Sequence, residues 1–132
     1  MKTLFTLILL VLGINTYGQF ILNSKVLIDN QQVNEQVTVT IINSTDNINS
    51  VIEQKRNIKL ELQYDKEYII IVSKKGFKTK AISIDTYCNM NEPIKYLCSI
   101  NLEKTNDKLP DATLVGGIYY NENKKRFDYY LK

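Results

Sequence analysis

Tyr68-Ile69-Ile70-Ile71-Val72-Ser73-Lys74-Lys75-Gly76-Phe77-Lys78-Thr79-Lys80 reads as a strand followed by a reversal of the chain. Tyr68 to Val72 is apolar at every position and rich in β-branched side chains, so it suits a strand covered on both faces. Lys74-Lys75-Gly76 then offers a turn, because glycine takes positive φ without a steric penalty. From Ala81 to Ile84 the strand pattern resumes.

The same period of two extends in both directions. Ile58, Leu60 and Leu62 alternate with Lys59, Glu61 and Gln63, giving one apolar and one charged face. Val37, Val39 and Ile41 alternate with Thr38, Thr40 and Ile42, and Asn43-Ser44-Thr45-Asp46-Asn47 then favours a turn, since these side chains hydrogen-bond their own backbone. Tyr96, Cys98, Ile100 and Leu102 form the last alternation of the series. With Ile21 to Ile28 and Ile48 to Ile52, about seven short strands stand at the spacing of a sandwich, and no amphipathic helix interrupts them. Most connections are shorter than the dozen or more residues a parallel crossover needs. The expected fold is an all-β, antiparallel β-sandwich of about seven strands.

The segment from Tyr68 to Lys80 resembles the strand, Lys-x-Gly-aromatic turn and following strand of the carboxypeptidase regulatory-like domain. Lys25-Val26-Leu27-Ile28-Asp29-Asn30 and Val37-Thr38-Val39-Thr40 are similar to that family's opening hairpin. The resemblance covers roughly Ile21 to Leu102 and implies a transthyretin-like (prealbumin-like) sandwich of the kind found in exported envelope proteins of Gram-negative bacteria. It implies no catalysis, because the family's zinc peptidase activity belongs to a separate domain. The chain departs from the pattern at Gln32 and Gln36, where Pro and Ala are usual, and at Gln54-Lys55-Arg56-Asn57, which replaces an Asp-x-x-Gly turn. In that turn Asn57 is the residue suited to a left-handed backbone.

The flanks carry separate signals. Residues 1–18 have Lys2, the apolar run Leu4 to Leu12 and the small Gly18, which is the layout of a signal peptide cleaved before Gln19. That run is too short to span a bilayer, and no later one is longer. The domain organisation expected is therefore a signal peptide at 1–18, a sandwich at 19–104, a polar linker at 105–113 containing Pro110, and an aromatic C-terminal unit at 114–132. In the last unit Leu114 to Tyr120 and Arg126 to Leu131 flank Asn121-Glu122-Asn123-Lys124-Lys125, which suits a hairpin with a five-residue loop or an extended tail. The location expected is the periplasm or cell surface, and the mature chain should have no transmembrane segment.

Chemistry is constrained mainly by what the 132 residues lack. There is no His, which removes the commonest general base and metal ligand. No catalytic, cofactor or metal residues are assigned, and an enzyme is not expected. The 17 basic and 14 acidic residues give a net charge of +3, and Lys74-Lys75, Lys78, Lys80 and Lys124 to Arg126 sit in turns beside acidic residues. No nucleic-acid partner is expected from that distribution. Asp46 is the only carboxylate of the 43–50 loop, too few for calcium. Asn43-Ser44-Thr45 matches a glycosylation sequon by pattern alone.

Three residue sets remain. Cys88 and Cys98, the only cysteines, can form a disulfide in an oxidising compartment, whereas the phase shared with Tyr96 and Ile100 points Cys98 inward as a small apolar residue. A Lys25–Asn101 isopeptide with Glu61 as the nearby carboxylate is conceivable on such strands, although all three residues suit solvent-facing positions. Tyr119, Tyr120, Phe127, Tyr129 and Tyr130 form either an interaction surface or a set of cross-strand pairs that hold the hairpin on the sandwich. The function expected is a non-enzymatic interaction or scaffold module binding an envelope protein. Carbohydrate recognition is the alternative, and assembly through open sheet edges is a third.

Overall fold

The structure, a computed structural model, describes residues 19–28, 31–32, 36–55, 57–106 and 111–132. The expected signal peptide and residues 107–110 of the expected linker lie outside the described residues. Among the described residues ten strands follow in order: β1 (Gln19–Ile28), β2 (Gln31–Gln32), β3 (Gln36–Asn43), β4 (Ile48–Lys55), β5 (Asn57–Gln63), β6 (Glu67–Ser73), β7 (Lys80–Asp85), β8 (Ile94–Leu102), β9 (Thr113–Asn121) and β10 (Arg126–Leu131). The chain is all-β, and every run marked by alternation becomes a strand. The narrow sheet has the order β8-β1-β5, with the two-residue β2 pairing the far end of β1. The wide sheet has six strands in the order β10-β9-β7-β6-β3-β4.

The two sheets bury one core between them. Phe20, Leu22 and Val26 of β1 and Ile58, Leu60 and Leu62 of β5 come from one side. Val37 and Val39 of β3, Tyr68, Ile70 and Val72 of β6 and Ile82 and Ile84 of β7 come from the other. The alternation in β5 is complete, exposed and buried residues succeeding each other from Asn57 to Gln63. Apolar side chains at every second position leave water on one face only, and this burial is the main force holding the sheets together.

Two departures from the sequence expectation concern topology. Most neighbours pair antiparallel, but β1–β8 and β7–β9 are parallel. These partners are far apart in the chain, and β7 reaches β9 by way of β8 in the opposite sheet. The crossover-length rule therefore holds, since the long connection it requires between parallel partners is supplied by the strands that lie between them in the chain. The C-terminal hairpin is also no separate unit, because β9 pairs with β7 from Lys80↔Thr113 to Ile84↔Ile118 and so extends the wide sheet.

The turns have local causes. Gly76 has φ of 86°, as its place after Lys74-Lys75 requires, and the Phe77 N–H closes the turn on the Lys74 carbonyl at 3.0 Å. In the β3–β4 turn Asn43 Oδ1 accepts the Asp46 N–H at 3.1 Å and Asn47 takes the left-handed region. The β9–β10 turn repeats this design. Asn121 Oδ1 accepts the N–H groups of Asn123 and Lys124, Lys125 has φ of 53°, and Asn121 pairs with Arg126, so the loop is one residue shorter than expected. Asn57 is not left-handed but extended in β5, and the chain passes there from the wide sheet to the narrow one. Asp65, in the β5–β6 connection, is also left-handed.

That connection is held by Thr86, which is fully buried. Its hydroxyl lies 2.7 Å from the Gln63 carbonyl and accepts the Lys66 N–H at 3.0 Å, while the Thr86 N–H donates to the Lys66 carbonyl. A tight reversal carries backbone groups that no ladder satisfies, and one threonine supplies both partners here.

Candidate interaction groove

The aromatic residues of the C-terminal hairpin divide by strand phase. Phe127 turns inward and is buried, and its ring meets Phe20 edge-on at 4.7 Å, Tyr120 edge-on at 5.3 Å and Tyr64 in a near-parallel stack at 6.4 Å. Tyr120 is half-buried in the same cluster and donates a long hydrogen bond to Met90 Sδ. These two residues close one end of the sandwich, which is the cross-strand packing role. Tyr64 donates to the Glu92 carbonyl at 2.7 Å, and burial, followed by the neighbouring Cys88, pushes its phenol up to about 12.

Tyr119 and Tyr130 stand on the outer face of the wide sheet, their rings 6.3 Å apart and tilted by 44°. Tyr130 lies over Gly117, and its hydroxyl is 3.0 Å from Ser83 Oγ. A Cβ on Gly117 would meet that ring and Ser83 Oγ, and a Cβ on Gly116 would run into the Tyr130 carbonyl. The Gly116-Gly117 pair therefore allows β9 to sit this close to β10. It coincides with an irregularity, since the β7–β9 register skips Val115 between Ala81 and Ile82.

Tyr129 and Leu131 share the inward phase of Phe127, yet they are 61% and 81% exposed. Six strands face three, so this part of the wide sheet's inner face has no strand above it. The result is a groove of about 480 Å³ whose lining includes Cys98 and Ile100 of β8, Ile82 of β7, Gly116 of β9, and Tyr129 and Leu131 of β10. Leu97 on β8, 74% exposed, also borders it. Leu97 and Leu131 were not singled out from the sequence. Leu97 carries a signal, being an apolar residue in the polar phase between Lys95 and Ser99.

The remaining candidates do not converge. Cys88 and Cys98 are free thiols with different neighbours. Cys88 packs near Tyr64 and Met90, and burial raises its thiol. Cys98 faces the core opposite the buried Ser24, and burial pushes its thiol up as well. Lys25 and Asn101 lie diagonally on the outer face of the narrow sheet, opposite Ser99 and Leu27 respectively. Glu61 is opposite Ile21, four positions along β1 from Lys25 or roughly 13 Å away at the rise of a strand, too far to assist that pair. Asp46 is engaged by Lys66 Nζ at 3.0 Å and by Asn43 Nδ2 at 3.1 Å. Among the described residues no group of three or more Cys, Asp or Glu could hold a metal, and no helix is long and apolar enough to cross a membrane. No family model matches the chain, and no curated protein matches it.

Proposed function

We propose that this protein is an exported, non-enzymatic β-sandwich that binds another protein in the bacterial cell envelope through the groove between β8 and β10. One observation carries the reading: Tyr129 and Leu131 occupy the core-facing phase of β10 but remain largely exposed. Large apolar side chains concentrated at one uncovered margin favour a binding surface over a merely solvated one. Export is supported by residues 1–18, and the sequence lacks His, the commonest general base. Sugar recognition by Tyr119 and Tyr130 is less favoured, because rings tilted by 44° present no flat stacking platform.

Site-specific photo-crosslinking in the native envelope tests this. A photoreactive residue at position 129 or 131 should yield a discrete protein adduct, and one at exposed Val51 on β4 should not. Equal adducts from both margins, or none from the groove, would remove the proposal.

A further inference from the structure

The groove is bordered by a strand edge as well as by apolar side chains. Among the described residues β8 pairs only with β1, so the other edge of this nine-residue strand carries no partner strand. The opposite margin of the same sheet is treated differently. There the Gln54 side chain accepts the Lys59 N–H at 2.9 Å and donates to the Lys59 carbonyl at 3.2 Å, so one amide takes the place of a neighbouring strand. Side-chain blocking is a known way of making a sheet edge unavailable. It is present on β5 at Lys59, at the margin away from the groove.

We propose that β8 receives one extended segment of a partner polypeptide as a further strand of the narrow sheet, its alternate apolar side chains covering Tyr129 and Leu131 and an acidic residue lying at the Lys80 end. The proposal rests on the interaction reading given above and specifies its partner. Backbone pairing would supply affinity without sequence demand, and every second side chain would point at the groove floor. A second copy fits less well. If its own β8 made the pairing, its six-stranded sheet would enter the space already held by β9 and β10, whereas a single strand needs only the uncovered width.

Charge selects the segment further. Lys95 is the one charged residue on β8, so the paired edge itself favours an uncharged guest. The end beside Leu102 is basic. Lys78 and Lys80 both pair with Glu103, Lys104 bridges Phe77 next to it, and the Lys132 N–H bonds the Val115 carbonyl on the adjoining strand. Lys78 and Lys80 therefore share one glutamate, which Lys104 follows in the chain, and the Glu103 carboxyl is held below its ordinary range by Lys80 and then Lys78. Such an excess attracts a carboxylate on the incoming chain.

The experiment is selection of a random dodecapeptide display library on the full protein, followed by synthesis of the enriched peptide and amide hydrogen exchange. Enrichment of alternating apolar residues with Asp or Glu near one end is expected, with protection appearing in β8 and not in β4. Binding should weaken at least tenfold in Tyr129→Lys and Leu131→Lys, whose exposed positions leave folding intact, and Lys132→Glu should reduce the acidic preference. No enriched peptide, enrichment indifferent to those changes, or protection at another edge would overturn the proposal. So would concentration-dependent self-association abolished by Leu97→Lys, which would make a second copy the occupant. If groove crosslinks form in the envelope while no strand-like peptide binds, strand addition falls and the interaction reading stands.

Discussion

Replacing Phe127 with alanine should destabilise the whole sandwich, not the hairpin alone. Phe127 is 7% exposed and touches rings from β1, β9 and the β5–β6 connection. Removing the ring takes roughly 120 Å² of buried apolar area, worth about 3 kcal/mol at about 25 cal/mol per Å². The aromatic contacts with Phe20 and Tyr120 add on the order of 1 kcal/mol, while the nearby groove lets the site relax and offsets part of that gain. A loss of about 3 kcal/mol is therefore expected, equivalent to a fall in Tm of roughly 15 °C for a domain of this size. Urea unfolding followed by circular dichroism and tyrosine fluorescence would measure it, and both signals should move as one transition. Tyr129→Ala, at an exposed position two residues along, should change stability by less than about 0.5 kcal/mol. A loss below about 1 kcal/mol for Phe127→Ala, or a separate early transition, would show that the hairpin does not share the core.

Thr86→Val should lower stability by about 2 kcal/mol in the same assay, because it orphans the Lys66 N–H and the Gln63 carbonyl, while Thr86→Ser should keep most of it. Gly116→Ala should be more destabilising than Gly117→Ala, with losses of roughly 1 to 3 kcal/mol, since the first meets a backbone carbonyl and the second an exposed ring that can swing aside. The hydrogen bond from Lys66, then that from Asn43, hold the Asp46 carboxyl below its ordinary 3.8. Its contribution is complete above that value and is lost as pH falls through the folded-state value, so Asp46→Asn should flatten the stability profile below about pH 4 and leave its slope at pH 6 to 8 unchanged.

By itself the sequence determined the strands, the turns and the class of fold. A period of two with β-branched residues is a property of the local chain, and it marked the seven sandwich strands and both strands of the hairpin. The Asn43, Gly76 and Asn121 turns were legible because their side chains or backbone freedom act within a few residues. Tertiary structure alone decided which strands became neighbours. The parallel pairs β1–β8 and β7–β9 depend on the chain crossing between sheets, and no local pattern records that crossing. It also decided the fate of the aromatic residues. Alternation places Phe127, Tyr129 and Leu131 on one face, but only the relative width of the two sheets buries the first and leaves the others open. Exposure of a strand face depends on what packs above it, a contact between residues distant in sequence, and so the groove could not be read from the order of residues.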